Sequence, residues 1–193
     1  MSTGGLRELK KKRTREAIQD HALRLYREQG YANTTLEEVA AAAEVSPSTL
    51  FRYFPSKPDT VLFDRVDPIF LEKFLAEPAE LPLLEAARNA LLAVLATADV
   101  DMAAVETTRM KLIATVPELR ASVAAKVETD LPPFLAAVAR RTGREPDDPH
   151  VRYWIGAVAG VAVMAYLRAV DNDGDIYAVV NEALEFLENG LPL

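Results

Sequence analysis

Residues 34–54 read TTLEEVAAAAEVSPSTLFRYF, and this pattern predicts two short helices joined by a tight turn. The first of them begins at Thr35, because Glu38 follows at the spacing of a capping box, in which each side chain binds the other residue's free backbone N–H. The alanines that follow keep the packed face of this helix thin. A neighbouring helix is therefore expected to approach it closely.

The second helix of the pair begins with Ser46 and Pro47. A residue before proline avoids the helical conformation and proline favours the first helical position, so Ser46 is expected to cap the helix. Leu50 and Phe54 lie four residues apart and are expected to face inward. The opposite side is polar and consists of Ser48, Thr49, Arg52 and Tyr53. A short helix with such a face fits the major groove of DNA, which makes a DNA-binding regulator the first hypothesis.

About eight residues are too few for a stable isolated helix, so this helix needs support from its neighbours. An amphipathic helix is predicted over residues 8–29, and its apolar stripe consists of Ile18, Ala22, Leu25 and Tyr26. Gly30 ends it. After a break at residues 55–58, a fourth helix is predicted over roughly residues 58–75, with a kink or a change of register at Pro68.

The rest of the chain also predicts helices, and the alternation of β-branched residues expected of strands is absent. The adjacent residues Pro132 and Pro133 are expected to bend or split one of these helices. The fold class is therefore all-α, with a helix-turn-helix domain over residues 1–60 and a helical bundle over residues 61–193. The helices predicted within the bundle span residues 82–98, 101–115, 117–141, 149–171 and 175–189.

The charge is distributed unevenly. The chain carries a net charge of −7, yet residues 1–65 hold 11 Lys and Arg against 9 Asp and Glu, whereas residues 66–193 hold 11 against 20. The strongest basic run is Lys10, Lys11, Lys12 and Arg13. We interpret this run as an arm that contacts DNA phosphates or the minor groove, the alternative being a solvated helix start. A basic front and an acidic rear suit a protein that touches DNA at one end.

Several function classes have no support in the sequence. There are no cysteines, and the two histidines, His21 and His150, have no partner at ligand spacing, so neither a metal nor a cofactor is predicted. No nucleophile elbow and no phosphate-binding loop occur, and an enzyme is not expected. We interpret the acidic run at residues 171–175 as a turn rather than a calcium loop. We expect no signal peptide and no membrane span, and place the protein in the cytoplasm.

Two segments identify a family resemblance. GYANTTLEEVA at residues 30–40 and AEVSPSTLFRYFPSK at residues 43–57 resemble the N-terminal domain of TetR-family transcriptional regulators. The resemblance covers about residues 10–60, with several positions in matching order and spacing. It implies a homodimer that represses a promoter by binding a palindromic operator. It further implies a small molecule that binds the C-terminal domain and releases the protein from DNA.

The resemblance also implies roles for individual residues. Thr35 would bring the N-terminus of its helix against a phosphate, whereas Pro47 and Ser48 would face base edges. Thr49, Tyr53 and Lys57 would hold phosphates. Serine at 48 and glutamate at 44 stand where the family often has glycine, and Phe51 stands where tyrosine is frequent. From its own chemistry, Arg52 is suited to guanine or phosphate. The complete predicted DNA-binding set is Lys10, Lys11, Lys12, Arg13, Thr35, Ser46, Pro47, Ser48, Thr49, Arg52, Tyr53 and Lys57.

An effector pocket is predicted in the rear domain, because ligand pockets are mostly apolar with a few placed polar groups. Glu106 and Arg109 lie three apart on one predicted helix, either as an ordinary surface pair or as ligand anchors. The effector is expected to be hydrophobic or aromatic. The candidate pocket residues are Phe70, Phe74, Glu106, Arg109, Met110, Ile113, Phe134, Tyr153, Trp154 and Tyr166.

Small residues are concentrated on one predicted helix, at Gly156, Ala157, Ala159, Gly160 and Ala162. By resemblance, the helices near residues 149–171 and 175–189 form the interface of a homodimer; the alternative is tight packing within one chain. The leading hypothesis is a dimeric repressor that binds double-stranded DNA. A helical small-molecule sensor that acts through protein partners is the alternative, and a small helical enzyme has no supporting residues.

Overall fold

The computed structural model describes residues 3–97, 100–171 and 176–192. Over these residues the secondary structure is helical, with no strand, and the predicted all-α class is confirmed. The predicted helix boundaries are close to the observed ones except near residue 63 and at the first helix, which begins at Thr3 rather than at residue 8. The helices are α1 Thr3–Gln29, α2 Leu36–Ala42, α3 Pro47–Tyr53, α4 Lys57–Leu62, α5 Val66–Ala76, α6 Leu83–Thr97, α7 Val100–Thr115, α8 Pro117–Thr142, α9 Pro149–Asp171 and α10 Ile176–Glu188.

The chain divides into two compact units. The N-terminal unit comprises Met1–Asp64 and Ala103–Val123, and the C-terminal unit comprises Arg65–Met102 and Ala124–Leu193. This division differs from the boundary predicted between residues 60 and 61. Most of α7 and the start of α8 belong with the N-terminal helices, because their apolar side chains pack on the same core.

The core of the N-terminal unit is built on the stripe predicted for α1. Ile18 and Ala22 are completely buried, and Tyr26 is 2% exposed. Leu50 and Phe54 of the α3 region are also completely buried against this core, as the four-residue spacing predicted. Because α3 has only seven residues, its position depends on this tertiary contact rather than on helix propensity.

The helix predicted over residues 58–75 is in fact two helices, α4 and α5. Buried Gln19 of α1 donates hydrogen bonds from Nε2 to the carbonyls of Thr60 and Phe63, at 3.1 and 2.7 Å. These bonds hold the chain where α4 ends. The kink or change of register predicted at Pro68 does not lie at that residue, because the helix breaks at residues 63–65, between α4 and α5. Pro68 is the third residue of α5, where its missing N–H needs no helical partner.

In the C-terminal unit, α5 and α10 pack against α6, and α9 packs against α10. Phe74 of α5 is 1% exposed and shares a core with the alanines of α6. Arg141, near the end of α8, donates to the carbonyls of Phe74 and Glu77 at 3.1 and 2.8 Å. Its guanidinium also lies 5.1 Å from the Phe74 ring centroid. Arg141 thereby fixes the C-terminal end of α5.

The split expected at Pro132 and Pro133 does not occur. Both prolines lie inside α8, which is one continuous helix of 26 residues. Leu119 on this helix is buried in the core of the N-terminal unit, and Leu135 and Val138 are buried in the core of the C-terminal unit. The single helix therefore contributes side chains to the cores of both units.

Helix α9 is unusually apolar. Its stretch Pro149–Ala169 is long and apolar enough to cross a membrane, with a mean hydropathy of 1.2. Within its most apolar part, 17% of the residues are buried inside the protein. A single stretch of this kind is weak evidence for a membrane span, because helices that pack in soluble assemblies have the same length and composition. Its exposed apolar residues instead call for a partner surface.

Replacement of Gln19 by leucine tests the contact that ends α4. Leucine has a similar volume but no N–H, so two inward-facing carbonyls lose their donor. We expect the free energy of unfolding to fall by roughly 1–3 kcal/mol, measured by urea denaturation. Gln29→Leu is the matched control, because Gln29 is exposed on the same helix. An equal effect of the two substitutions would show that the buried amide contributes nothing.

Candidate nucleic-acid interface and ligand cavity

The N-terminus of α3 is organised by the hydroxyl of Ser46, the predicted N-cap. The Ser46 Oγ accepts a hydrogen bond from the Thr49 backbone N–H at 3.1 Å, and this capping prediction is confirmed. The same oxygen lies 3.0 Å from the Ser48 Oγ and donates to the Thr49 Oγ1 at 2.9 Å. Three hydroxyl groups are thus clustered at the start of the helix, where the free backbone N–H groups favour anions.

The two faces of α3 differ in chemistry and exposure. Leu50 and Phe54 point into the core, whereas Ser48 and Arg52 are exposed and Thr49 is half-buried. Tyr53 is half-buried and packs partly on the core. The Arg52 guanidinium lies 5.4 Å from the Tyr53 ring centroid. The N-terminal unit therefore leaves the polar face of α3 open, with Ser46 and Pro47 exposed beside it.

The predicted capping box at α2 is confirmed. The Glu38 N–H donates to the Thr35 Oγ1 at 3.2 Å, and the Thr35 N–H donates to the Glu38 Oε2 at 2.7 Å. The hydrogen bonds from the Thr35 backbone and side chain lower the pKa of the Glu38 carboxyl. Thr35 itself is exposed, so the start of α2 is accessible from solvent.

Lys57 is engaged within the N-terminal unit. Its ammonium donates a hydrogen bond to the carbonyl of Tyr31 and lies 4.3 Å from the centroid of the Tyr31 ring. Partial burial lowers the pKa of Lys57, and Glu118 and Glu38 oppose this shift. Because an ammonium has three N–H donors, this contact leaves donors for the phosphate predicted as its partner.

The basic run at Lys10, Lys11, Lys12 and Arg13 is helical and exposed, since α1 begins at Thr3. Lys12 lies 3.8 Å from Glu16 on the next turn, with the Lys12 side chain 66% exposed. The run is therefore a charged helical surface. It differs in this respect from an extended arm of the kind that enters a minor groove.

The turn between α2 and α3 is made by Glu44, which has a φ of 54°. This is the left-handed conformation that glycine adopts without steric cost. The position is the one where the family resemblance led us to expect glycine. Glu44 is also exposed, and so the turn places a negative charge at the surface of the helix-turn-helix.

The C-terminal unit contains a cavity of about 580 Å³, within the size range of small-molecule sites. Four near-parallel aromatic rings form part of its wall. Phe70 lies 5.7 Å from Phe74 and 6.1 Å from Phe134, with interplanar angles of 8° and 27°. The Phe74 ring lies 6.4 Å from Trp154 at 26°. This array offers parallel aromatic surfaces to an apolar ligand.

The remaining wall is mostly aliphatic and includes Leu71, Leu91, Leu131, Val138, Ile155 and Val158. Three charged side chains, Asp67, Asp130 and Arg152, also line the cavity. None of these three residues was among the predicted pocket residues. Arg152 was detectable, because Arg152, Ile155 and Ala159 follow a helical spacing that places them on one face of α9.

Four predicted pocket residues, Phe70, Phe74, Phe134 and Trp154, line this cavity, and the others do not. Ile113 packs against the core of the N-terminal unit, and Tyr153 is 71% exposed. Tyr166 is half-buried away from the cavity wall. The polar candidates and Met110 lie in the N-terminal unit.

Glu106 and Arg109 have a structural partner that the sequence did not indicate. Arg109, which is 7% exposed, donates to Asp64 at 2.5 Å and from Nε to Glu106 at 2.9 Å. The guanidinium thus joins α7 to the last residue of the N-terminal segment, Asp64. Arg109 is not part of an ordinary surface pair, because it is buried between the carboxylates of Asp64 and Glu106. It also does not line this cavity.

The fold and the surface together define a class, helical regulators with an N-terminal helix-turn-helix. Family models match the chain twice: bacterial regulatory proteins of the tetR family over residues 18–62, and the MftR C-terminal domain over residues 81–192. The HTH-type transcriptional regulator TcmR of Streptomyces glaucescens is 34% identical over 191 residues, which cover 93% of this chain and 84% of TcmR. The chain belongs to the TetR family of transcriptional regulators.

Solved structures agree with the fold. FadR of Thermus thermophilus, a TetR-family repressor solved in complex with lauroyl-CoA, has a TM-score of 0.59 at 24% identity, covering 93% of this chain and 95% of FadR. The fatty acid degradation regulator FadR of Bacillus halodurans also has a TM-score of 0.59, at 22% identity, with coverages of 92% and 96%. At these identities the similarity establishes the shared fold.

Replacement of Glu44 tests the turn. Glu44→Gly relieves the left-handed strain and is expected to raise the free energy of unfolding by about 0.5–1 kcal/mol, after the greater unfolded-state entropy of glycine is subtracted. Glu44→Gln removes the charge but keeps the strained backbone, so it should leave stability nearly unchanged. Thermal denaturation of both variants measures the difference. Equal stabilisation by glutamine would assign the effect to charge instead.

Proposed function

We propose that this protein is a homodimeric repressor that binds a palindromic operator in the bacterial cytoplasm and is released by a small-molecule effector. The observation that carries the DNA-binding part is the open polar face of α3, supported from behind by buried Leu50 and Phe54. In a dimer, two such helices would enter successive major grooves. The basic surface at the start of α1 supplies cations for phosphates.

The side chains of α3 suit two kinds of contact. Ser48 and Pro47 are short and exposed, so the N-terminal end of the helix can approach base edges closely. Arg52 carries the guanidinium that reads guanine or holds phosphate, and Thr49 and Tyr53 offer hydroxyl groups to phosphates. The proposed contacts of Thr35 and Lys57 place further donors along the DNA backbone.

Dimerisation is supported by the exposed apolar surface of α9 and α10, which we call the α9–α10 face. It includes Tyr153, Val163, Met164, Tyr177 and Phe186, which are 71%, 40%, 61%, 47% and 37% exposed. Gly160 is also exposed, and apart from its chain neighbours and the adjacent backbone of α9, no atom that the structure describes lies within 4 Å of where its Cβ would be. A second copy of the chain would bury these side chains and fit closely over the small residues.

The proposed effector is hydrophobic or aromatic and binds in the cavity of the C-terminal unit. The row of Phe134, Phe70, Phe74 and Trp154 supports this class, since aromatic rings pack well on other flat or apolar groups. The lauroyl chain of the ligand solved with Thermus thermophilus FadR is likewise apolar. The cavity size suits one ligand of drug-like dimensions.

Release from DNA requires that the effector bind two conformations with different affinity. The coupling in such proteins is roughly 1–3 kcal/mol, which corresponds to about a 5- to 150-fold change in operator affinity. Helix α8 supports a route for this coupling, because it carries Leu119 of the N-terminal core and Phe134 of the cavity wall. A ligand against Phe134 would contact the same helix that carries Leu119.

Substitutions on α3 test the DNA-binding surface. Arg52→Ala is expected to weaken operator binding at least roughly tenfold, and Tyr53→Phe by about fivefold, because each removes a hydrogen bond to DNA. Neither should change the melting temperature. Binding is measured by gel shift with DNA from upstream of the chain's own gene. Arg140→Ala is the control, since Arg140 is exposed in the C-terminal unit; unchanged affinity in both α3 variants would refute the contact face.

A salt titration of the same gel shift separates this function from that of a sensor working through protein partners. Operator binding should persist over nonspecific competitor DNA and fall steeply with salt, because phosphate contacts release counterions. Weak binding of equal affinity for every DNA sequence would favour the sensor that acts through protein partners.

Met164→Glu tests the dimer. A carboxylate at the centre of the α9–α10 face would be buried without a partner in the assembly, so the variant is expected to be monomeric at concentrations where the parent chain is dimeric. Light scattering coupled to gel filtration measures the mass. Leu75→Glu, at an exposed leucine on α5, should leave the mass unchanged. A dimeric Met164→Glu protein would place the interface elsewhere.

A further inference from the structure

The charges on the wall of the cavity are not equivalent. Of the three charged lining residues, Asp130 is paired with Lys126 at 3.0 Å, and Asp67 has an interaction of its own within the protein. Arg152 makes no hydrogen bond or ion pair with any part of the chain that the structure describes. The cavity therefore has one charged lining group that is available to a ligand, and this group is a cation.

The acid immediately before α9, Asp148, does not neutralise Arg152. Asp148, four residues earlier, accepts hydrogen bonds from Arg144 at 2.6 Å and from the His150 N–H at 2.8 Å. These bonds lower the pKa of Asp148 to about 2, so its charge is already satisfied. The acid at the i−4 position, which would normally pair with a helical arginine, is thus committed to other partners.

The position of Arg152 suits recognition of one end of a ligand. Arg152, Gly156, Ala159 and Val163 follow the spacing of one helix face, and all four line the cavity. All four are exposed, and Arg152 is the first of them along α9, so its guanidinium is at one end of this row and accessible from solvent. The aromatic rings of Phe70, Phe74 and Trp154 line the same cavity.

We infer that the effector is an aromatic acid, whose flat apolar body packs on the rings of Phe70, Phe74 and Trp154 while its anionic group pairs with Arg152. The inference rests on the proposed effector cavity and specifies the charge of its ligand. A guanidinium binds a carboxylate through two parallel N–H donors, which gives orientation as well as affinity. Neutral aromatic molecules would occupy the same cavity more weakly.

Two pairs of probes test this inference on the full-length chain: 2-naphthoate with 2-naphthamide, and anthracene-2-carboxylate with its carboxamide. Each pair differs in charge but hardly in shape. Affinity is measured by calorimetry, and Trp154, the single tryptophan of the chain, reports occupation of the cavity through its fluorescence. We expect each acid to bind roughly tenfold more tightly than its amide, the effect of one charge-assisted contact at an exposed site.

Variants assign the preference to Arg152. Arg152→Gln should remove the advantage of the acids while the amides bind as before, and Arg152→Lys should retain part of it. Arg140→Gln, which also removes an exposed arginine from the C-terminal unit, should keep the full preference. The preference should shrink as salt is raised, because the contact is exposed.

The outcomes distinguish the two levels of the proposal. Equal affinity of acid and amide for the parent chain, or a preference that survives Arg152→Gln, would overturn the anionic ligand and leave the cavity in place. If neither member of either pair binds or changes Trp154 fluorescence, the proposal that this cavity binds an aromatic effector is refuted, and the inference about its charge is refuted with it. Operator binding by the Arg152→Gln variant remains a separate readout of the DNA-binding surface.

Discussion

The burial of Leu50 and Phe54 in the core of the N-terminal unit is the constraint on which the proposed DNA-binding surface depends. A seven-residue helix does not hold its shape alone, so α3 exists because these two side chains are removed from water. The same contact decides its rotation, since the residues opposite Leu50 must then face outward. Exposure of Ser48 and Arg52 is therefore a consequence of packing behind them.

A second constraint holds the chain where it leaves the N-terminal unit. The Arg15 guanidinium lies 3.9 Å from the centroid of the Phe63 ring, and Gln19 binds the Phe63 carbonyl. Burial lowers the pKa of Arg15, but arginine remains charged at such sites. On the next residue, Asp64 is held by Arg109 of α7. Side chains from α1 and α7 thus fix consecutive residues at the exit from this unit.

The two units divide the chemistry of the protein. The N-terminal unit presents hydroxyl groups and cations around α3, which suits a polyanion. The C-terminal unit has an apolar cavity whose wall includes Arg152, a cation without a partner among the described residues. Helix α8 passes through both. The proposed release from DNA needs both a binding surface and an effector cavity, because the effector must change the binding free energy of a surface that it does not touch.

The sequence alone determined the local structure: the caps at Thr35 and Ser46, the inward residues of α1 and α3, and the all-helical class follow from spacing and capping chemistry within a few residues. The long-range contacts came only from the tertiary structure. Gln19 binds backbone carbonyls at the place where the helix predicted over residues 58–75 is interrupted. Arg109 pairs with Asp64 and does not line the cavity. The tertiary structure also shows that Arg152 lines the cavity and has no ion-pair partner among the described residues. Helical periodicity states which side of a helix is apolar, but residues distant in the chain decide what each polar side chain meets there.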